Sequence, residues 1–564
     1  MSGRQLFISL IVLIAFASFK SSQGAGHPGR EAQIPGENLA PAVGTKGMVS
    51  TAHPLATQAG LDILKAGGNA FDAAVAIAST LNVVEPMNSG IGGYGTILVY
   101  DAKKRKARFL DSSGKIPINV DSDAFRPPTP NYKENRRGPK AVSTPGNVNA
   151  WWAMSSEYGK LKWSGLFESA IKTAEQGFKI EDRLARSIKY AFSEFNEHGQ
   201  GVYGKEGKPL GKGDVLFQKD LAQSLRLIAE KGAKTVYGDK LGKIIDKAIR
   251  ESGGFLTIDD LVADRAEWWE PISINYRGYK VMTASPPSTA FPSLIRLGLM
   301  SRFDNTRIGH NTADYLHFFA EATKHAFWCR LAHAGDPEIN PPPLEKLLSE
   351  EYWKEVVGEI DHKKAKPFRP PKVVVKQGKN TTHFVVADRW GNIVSATQTL
   401  GNSFGCRIMV EGTGIWLNNS LAYCTFEPKG NPMDAHAGHR KLSGDCPTIV
   451  FKDGKPWAAL GTPGGHTIGQ TVPQMVMNMI DFKMDIHQAI AAPRISFAEP
   501  DSILVENRIV ASIQNALKEK GHNIREVRGL GNAHGLTIEY DAEGKPVHFF
   551  GGADIRGKGL AKGY

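Results

Sequence analysis

The chain has 564 residues, of which 41% are hydrophobic and 22% charged, so its composition is that of a globular protein and excludes wholesale disorder. Length alone predicts two to four domains. The formal net charge of +12 does not indicate nucleic-acid binding, because the basic residues form only short clusters and the sequence contains no recognisable nucleic-acid-binding module.

The first residues have the pattern of a secretory signal peptide. Arg4 precedes an apolar run from Leu6 to Phe19, and small and polar residues follow from Ser21 to Ala25. The run is shorter than a membrane-spanning helix requires. We therefore predict that residues 1–24 are a signal peptide and that the mature protein is secreted or periplasmic. The alternative is an uncleaved leader, which would then anchor the protein to a membrane.

The four cysteines are Cys329, Cys406, Cys424 and Cys446, and none of them has CxxC spacing. This pattern indicates neither a disulfide scaffold nor a zinc cluster. A bridge such as Cys406 to Cys424 could form in an oxidising compartment, but sequence does not settle the connectivity.

Ala52 to Leu81 has apolar residues at helical spacing, with a break at Gly67 to Asn69, and predicts a helix pair. A glycine-rich turn follows and runs into an apolar strand that ends near Asp101. Gly90 to Gly95 matches GxGxxG, but a dinucleotide-binding loop follows a strand and opens a helix, and this segment does the reverse. We interpret it as a tight bend where backbone approaches backbone.

The middle third, Trp151 to Glu350, has a mostly helical pattern, interrupted by an extended excursion at Ile272 to Ala284. From Glu359 to Gln377 the chain is basic, contains prolines and lacks periodicity, which predicts an exposed linker. Alternating apolar and polar residues then predict a hairpin that begins at Thr381. A second hairpin is predicted at Ile449 to Leu460.

A threonine that begins a strand directly after an exposed linker has a chemical use if the chain is cut before it. Cleavage creates a free α-amine with an ordinary pKa of about 7.7 to 8.0. That amine can act as general base for the hydroxyl of the same residue, which is otherwise a poor nucleophile. On the residues alone, the β-propensity of threonine would be the simpler explanation of Thr381.

Several segments, in order along the chain, resemble the gamma-glutamyltranspeptidase family. The start of the family's small subunit is similar to TTHFVVADRWGNIVSATQTLGNSFG, and its N-terminal signature to GGNAFDAAVAIASTLNVVEPMNSGIGGYG. Its other large-subunit segments are similar to STPGNVNAWW and GGFLTIDDL, and its small-subunit segments to LSGDCPTIV, GTPGG and the terminal KGY. The resemblance covers nearly the whole mature chain.

The resemblance implies an α+β fold, the four-layer αββα arrangement of N-terminal nucleophile hydrolases. It also implies self-cleavage between Asn380 and Thr381. A large subunit, residues 25–380, and a small subunit, residues 381–564, would then form one fold as a heterodimer. No metal or organic cofactor is required by this chemistry.

The resemblance also assigns the catalytic residues. Thr381 is the expected nucleophile of both self-cleavage and turnover, and Thr399 matches a second threonine that hydrogen-bonds the nucleophile. Gly464 and Gly465 match the pair whose backbone amides stabilise the oxyanion, a role that glycine geometry suits. Without the resemblance, GTPGG would be interpreted as a plain turn, and a phosphate loop is excluded because no Gly-Lys-Ser/Thr follows.

The residues expected to hold a gamma-glutamyl group depart from the family's pattern. The arginine that pairs with the α-carboxylate falls on Ser113, and an asparagine near the second threonine falls on Gly401. The family's glutamine corresponds here to Ser420 and its aspartate to Tyr423. Its pair of serines corresponds to Ser443 and Gly444.

These changes remove a bidentate anion clamp and the acidic partner of the amine, and such losses change specificity by large factors. Lys115 could replace the arginine only as a point charge. The segment corresponding to the lid, Thr425 to Lys441, is also shorter than in typical members, which predicts a more open site. These departures resemble the acylase-like branch of the family, with Tyr423, Asp445 and His466 as candidate pocket residues.

Three hypotheses follow for the function. The first is an N-terminal-threonine amidohydrolase or acyltransferase with a non-glutamyl acyl specificity. Its substrate would be a small-molecule amide, and anionic amides are included in this hypothesis. The second is a true gamma-glutamyl transpeptidase or glutathione hydrolase with substitute contacts. The third is a catalytically silent secreted binding protein, which would have no need to keep Thr381, Thr399, Gly464 and Gly465 together. Restoring Arg at Ser113 and Asp at Tyr423 should raise gamma-glutamyl turnover if the first is correct.

Overall fold

The computed structural model describes residues 40–126, 134–370 and 380–564, so the predicted signal peptide lies outside the described residues. At its centre are two seven-stranded sheets, each wholly antiparallel. Sheet I has the strand order Leu560–Gly563, Gly47–Thr51, Asn380–Asp388, Ile393–Gly401, Tyr94–Asp101, Lys106–Ser112, Glu267–Trp269. Sheet II has the strand order Ala42–Gly44, Pro546–Ala553, His534–Tyr540, Lys455–Gly461, Thr448–Lys452, Tyr279–Thr283, Ile272–Tyr276.

Helices surround the two sheets, and shorter strands lie outside them. The α-helices of the described residues are Pro54–Lys65, Ala70–Val84, Asn147–Tyr158, Glu168–Gln176, Asp182–Ala191, Glu197–Tyr203, Lys219–Lys231, Lys240–Glu251, Ile258–Ala263, Phe291–Met300, Asn305–Ile308, Ala313–His333, Leu344–Leu347, Glu350–Gly358, Ile468–Ile480, Ile486–Ala491 and Ala511–Glu519. The shorter strands are Phe178–Lys179, Gly204–Lys205, Lys208–Pro209, Val215–Leu216, Met409–Val410, Ile415–Trp416, Ile495–Ala498, Ser502–Glu506 and Ile524–Val527. Within the described part of the chain, no helix combines the length and apolarity that a membrane crossing needs.

Three apolar cores show that the layers are stacked helix, sheet, sheet, helix. The core between the sheets draws on both of them, with Leu98 and Val385 from sheet I and Ile449 and Leu536 from sheet II. The alternate residues of sheet I, such as Val386, pack instead with the helix Ala70–Val84 and its neighbours. The outer face of sheet II packs in the same way against the helices Phe291–Met300, Ala313–His333 and Ile468–Ile480. The alternation follows from the two-residue period of a strand. The predicted four-layer αββα fold is confirmed.

The helix pair predicted near the N-terminus is confirmed, and its break has a local cause. The first helix ends at Lys65, and Gly67 follows with φ +91°, a conformation that favours glycine. The second begins at Ala70 because the Asn69 side chain accepts hydrogen bonds from the backbone N–H groups of Phe71 and Asp72, both at 3.0 Å.

The glycine-rich turn precedes the strand Tyr94–Asp101, as predicted, so the dinucleotide-binding alternative stays excluded. Its glycines permit close backbone contact. A Cβ on Gly92 would lie 2.1 Å from the carbonyl oxygen of Trp416, and one on Gly93 would lie 2.5 Å from that of Thr399. The turn therefore lies directly against the strand that carries the second candidate threonine.

Both predicted hairpins are confirmed, as Asn380–Asp388 with Ile393–Gly401 and as Thr448–Lys452 with Lys455–Gly461. In the predicted linker, residues 359–370 are mostly exposed and residues 371–377 lie outside the described residues. All four cysteines are buried and free, so the bridge considered between Cys406 and Cys424 is not formed. Each sheet contains strands from both sides of the bond between residues 380 and 381, so two chains cut there share one fold.

Candidate active site

Thr381 lies at an irregularity in the pairing of its strand. The register with the neighbouring strand shifts between Asn380 and Thr382, which leaves Thr381 at a bulge. Bulges re-aim side chains and occur often beside active sites. Thr381 is only 2% exposed, so its hydroxyl lies in a protected environment.

The hydroxyl of Thr399 connects the candidate nucleophile to the carbonyl of the bond expected to break. Its Oγ1 accepts hydrogen bonds from Thr381 Oγ1 at 3.3 Å and from the N–H of Gly401 at 2.8 Å. It donates its own hydrogen to the carbonyl oxygen of Asn380 at 2.6 Å. Because a hydroxyl has one hydrogen and two lone pairs, these three contacts saturate Thr399 and fix its orientation. The arrangement orients the candidate nucleophile and places a hydrogen-bond donor on the carbonyl of the preceding residue.

Neighbouring polar groups fix both sides of this bond. Thr382 donates from Oγ1 to Glu85 at 3.0 Å, and Arg183 pairs with the same carboxylate at 2.9 Å. On the other side, the Asn380 side chain donates to Asn88 at 3.4 Å. The strand is therefore anchored immediately before and immediately after Thr381.

The loop that carries Gly464 and Gly465 begins beside this strand. A Cβ on Gly461 would lie 2.3 Å from the His383 ring, so the strand leading into the loop passes directly over His383, two residues after Thr381. Gly464 has φ +142° and Gly465 φ +61°, and neither N–H donates to a group of the described residues. Two backbone donors in a glycine-specific turn are thus left available for an anion.

His383 is a residue of this region that the sequence reasoning missed. Its Nδ1 lies 2.8 Å from the Thr397 hydroxyl, and burial lowers the pKa of His383 well below its usual value, with a smaller effect from His534. The imidazole is therefore neutral at physiological pH. The position of His383 directly after Thr381 and Thr382 is the sequence signal that could have indicated its place beside the candidate nucleophile.

Tyr94 and Tyr423 line the side of the site beyond Thr399. Tyr94 lies directly opposite Thr399 on the adjacent strand, so both side chains project from the same face of sheet I. Both tyrosines are buried, and burial raises the pKa of both hydroxyls. Tyr423, which was predicted to replace the family's aspartate, thus presents a neutral hydroxyl.

At Ser113 the structure places a cation that the sequence reasoning missed. Ser113 is fully buried, and its hydroxyl donates to Asp111 at 3.1 Å. Its carbonyl oxygen accepts a short hydrogen bond from the ammonium of Lys441, which also donates to Gly114 at 3.3 Å. Burial lowers the pKa of Lys441 to about 8, against the opposing charge of Asp111. Lys115, the substitute considered from sequence, is exposed.

Asp445 is a buried carboxylate beside Ser443 and Gly444. The Ser443 hydroxyl accepts a hydrogen bond from the Asp445 N–H at 3.4 Å, and Gly444 between them is partly exposed. Asp445 is 2% exposed and its Oδ2 has no hydrogen-bond partner among the described residues. Burial raises the pKa of Asp445 to about 7, against the opposing charge of Lys441.

Two more positions expected to hold a gamma-glutamyl group, Ser420 and Gly401, are fixed by contacts within the protein. The Ser420 hydroxyl donates a short hydrogen bond to Ser143. Gly401 has φ +95°, and a Cβ there would lie 2.3 Å from the side-chain oxygen of Asn419. This backbone conformation and contact leave no room for the asparagine that the family's pattern places at this position.

Comparison with known proteins identifies relatives of this arrangement. A profile of the gamma-glutamyltranspeptidase family matches residues 56–564. The glutathione hydrolase proenzyme of Escherichia coli is 33% identical over 97% of both chains. The acylase ACY 1 proenzyme of Pseudomonas sp. strain V22 is 33% identical over 91% of this chain and 95% of its own.

Solved structures agree with these matches. The crystal structure of the cephalosporin acylase from Bacillus halodurans superposes with a TM-score of 0.85 at 31% identity, covering 97% of this chain and 99% of that one. The relatives therefore include both glutathione hydrolases and acylases, and several of them are proenzymes.

Proposed function

The chain belongs to the gamma-glutamyltranspeptidase family, as a self-processing amidohydrolase or acyltransferase, and we propose that Thr381 is its nucleophile. The observation that carries this assignment is the single Thr399 hydroxyl that contacts both Thr381 Oγ1 and the carbonyl oxygen of Asn380. It supports an attack of Thr381 on the residue before it.

Self-cleavage begins with that attack. The Thr381 oxygen bonds to the carbonyl carbon of Asn380, and the oxygen of that carbonyl gains negative charge that the Thr399 hydroxyl stabilises. The C–N bond then breaks, the proton that the Thr381 hydroxyl has lost passes to the leaving nitrogen, and that nitrogen becomes the α-amine of Thr381. Water hydrolyses the remaining ester and releases a large subunit, residues 25–380, from a small subunit, residues 381–564.

Turnover uses the amine that cleavage creates. With an ordinary pKa of about 7.7 to 8.0 it takes the proton of the Thr381 hydroxyl as that oxygen attacks a substrate amide, and it passes the proton to the leaving amine. The N–H groups of Gly464 and Gly465 stabilise the oxyanion. Water or an acceptor amine then releases the acyl group from Thr381.

We propose an acyl specificity other than gamma-glutamyl. The Ser113 hydroxyl is engaged by Asp111, and Tyr423 is a buried phenol whose pKa is raised by burial. Neither position therefore offers the arginine or the aspartate that a gamma-glutamyl head group would meet. The relatives named as acylases support this assignment. We also propose that the protein is exported, on the composition of residues 1–24.

Denaturing electrophoresis with intact-mass analysis of the purified protein tests the nucleophile. We expect two fragments with a boundary between Asn380 and Thr381, and a single chain for Thr381→Ala. Thr382→Val is the matched control, because it removes the neighbouring hydroxyl, which contacts Glu85 instead. An uncut wild-type chain, or a Thr381→Ala chain cut at the same bond, would show that the assignment is wrong.

A further inference from the structure

Three buried side chains with metal-binding atoms converge between the helix Ala313–His333 and the end of the helix Ala511–Glu519. They are His317, Glu321 and His522, and one ligand atom of each lies within 4.8 Å of the other two. Each of the three residues is at most 6% exposed. Two imidazoles and a carboxylate are a set of ligands that zinc and related divalent transition metals bind in proteins. None of the three belongs to the candidate active site described above.

Regular backbone fixes where these ligands lie. His317 and Glu321 are four residues apart on one helix, so they project from the same face of it. His522 follows a helix whose last turn accepts backbone hydrogen bonds from the N–H groups of Gly521 at 2.8 Å and His522 at 3.1 Å. This pairing, with φ +93° at Gly521, is a common way for a glycine to close a helix. The ligands are therefore held in place before any ion binds.

A hydrogen bond directs a lone pair of His317 into the cluster. Its Nε2 lies 2.7 Å from the carbonyl oxygen of Asp361. Because a carbonyl oxygen can only accept, Nε2 carries the hydrogen of the neutral ring and Nδ1 keeps a lone pair. This Nδ1 faces Nε2 of His522 at 2.8 Å. A backbone carbonyl on the remote ring nitrogen is the usual second contact of a metal-binding histidine.

The ring of His522 can present a lone pair to the same point. Its Nδ1 is buried and has no hydrogen-bond partner among the described residues, so the ring hydrogen can occupy Nδ1 and leave Nε2 to an ion. Burial lowers the pKa of His317, and burial lowers the pKa of His522 to about 3, with smaller effects from the charges of Lys324 and Lys520. Both rings are therefore neutral at physiological pH, which is the form that binds metals.

A bound ion would have to displace two contacts. The ligand atoms of a tetrahedral zinc site are about 3.3 Å apart, because the bonds measure about 2.0 to 2.1 Å, so the two histidines would separate by about 0.5 Å. The ammonium of Lys324 donates to Glu321 at 3.0 Å, and it also donates to the carbonyl oxygen of Lys366 at 2.7 Å. Lys324 also lies 3.9 Å from the Asp501 carboxylate, so it keeps partners when Glu321 turns to the ion. Lys324 is therefore a competitor of the metal.

A cavity of about 450 Å³ gives access to the cluster. Glu321 and Lys324 line it, together with Trp328 and Lys366. An ion can enter through this opening, and a water molecule can reach the ion from the same side. Three protein ligands and one water complete the four positions that zinc prefers.

We propose that His317, Glu321 and His522 bind one divalent transition-metal ion of the zinc type, with water as its fourth ligand. His317 and Glu321 precede the bond between residues 380 and 381, and His522 follows it. The ion would therefore connect the two chains that cleavage produces. The three ligands already lie together in the uncut chain, so the site goes beyond the proposed function and does not depend on it.

Titration of metal-free, tag-free protein with Zn²⁺ tests the proposal, by calorimetry and by competition with a chromophoric chelator. We expect one tight equivalent per molecule. His522→Gln should weaken binding by about 100-fold or more, because the loss of even an outer contact costs about 10- to 100-fold. Lys324→Met should tighten binding, because it removes the competing ammonium. His548→Gln is the matched control, since it replaces a histidine whose side chain is 51% exposed, and it should leave the affinity unchanged.

X-ray absorption at the zinc edge identifies the ligands in the wild-type protein, so the test does not require every variant to fold. We expect scattering from two imidazoles, with zinc–nitrogen distances of about 2.0 to 2.1 Å. Zinc should also raise the Tm of the wild type but not of His522→Gln, because an ion that binds only the folded state stabilises it.

The absence of a tight equivalent, or a spectrum without two imidazoles, would overturn the proposal. Equal zinc affinity in His522→Gln would show adventitious binding elsewhere and would overturn it too. Uncut Thr381→Ala protein should bind zinc as the wild type does. A wild-type chain that binds zinc but stays uncut would therefore refute the proposed function alone, and a cleaved chain that binds none would refute the metal site alone.

Discussion

Replacing Thr399 with valine should slow self-cleavage, because valine keeps the shape of threonine and removes the hydroxyl. In the uncut chain that hydroxyl donates to the carbonyl oxygen of Asn380 at 2.6 Å, where negative charge develops as Thr381 attacks. Loss of one such donor typically costs about 2.7 to 4 kcal/mol of transition-state stabilisation, which corresponds to a rate loss of about 10² to 10³. Thr399→Ser keeps the donor and should cleave at a rate near that of the wild type.

The rate can be followed by cell-free synthesis with a short radioactive pulse, a chase, and electrophoretic separation of precursor and subunits. Valine also leaves the N–H of Gly401 without its acceptor, which should lower the free energy of unfolding by about 1 to 3 kcal/mol. Thermal denaturation of the uncut precursors, compared in the Thr381→Ala background, separates this stability effect from the rate effect. If Thr399→Val cleaves as fast as the wild type, Thr399 does not polarise the Asn380 carbonyl and the mechanism of self-cleavage given above is wrong.

Two further predictions concern buried carboxylates. Burial raises the pKa of Asp445 to about 7, while the charge of Lys441 lowers it and that of Asp111 raises it. Asp445 should therefore change from neutral to charged as the pH rises through about 7, and it should then repel an anionic acyl donor. The kcat/KM for a p-nitroanilide whose acyl group carries a carboxylate, divided by that for its neutral amide isostere, should therefore decrease over that interval. An equal decrease in Asp445→Asn would exclude Asp445 as the cause. The Asp554 side chain is fully buried between Arg494 and Arg556, and each ion pair measures 2.8 Å. Asp554→Asn should therefore lower the free energy of unfolding by about 3 to 5 kcal/mol. Urea denaturation measures this change, with the exposed substitution Glu543→Gln as the control. The pKa of Asp554 is depressed in the folded state. Its contribution to the free energy of unfolding is therefore present above the unfolded-state pKa of about 3.9 and is lost as the pH falls below that value. An acid unfolding midpoint that is unchanged in Asp554→Asn would contradict this account.

Local sequence patterns predicted those parts of the fold that are held by short-range interactions. The two helices around Gly67 to Asn69 and the hairpin that begins at Thr381 depend on turn residues and on alternation within a few positions, which a sequence displays directly. The edge strands Ala42–Gly44 and Leu560–Gly563 were not predicted. Each pairs with a strand from the other end of the chain, so its position depends on long-range contacts with no local signal.

The same contrast between local and long-range signals separates the catalytic residues of the candidate site from those of the proposed acyl pocket. Thr381 and Thr399 belong to one hairpin, and Gly464 and Gly465 to one turn, so a motif match was enough to locate them. Their geometry, including the bulge at Thr381, still required the structure.

The proposed acyl pocket is assembled from residues that are far apart in the sequence, so a side chain lost at one position can be replaced by one from a distant segment. The residue expected to replace the arginine missing at Ser113 was Lys115, its near neighbour, whereas the ammonium found there belongs to Lys441, which is separated by 328 positions. Matching family positions one at a time shows which contacts have been lost. The substitute contacts become visible only when the fold places Lys441 against Ser113 and Asp445 beside Ser443.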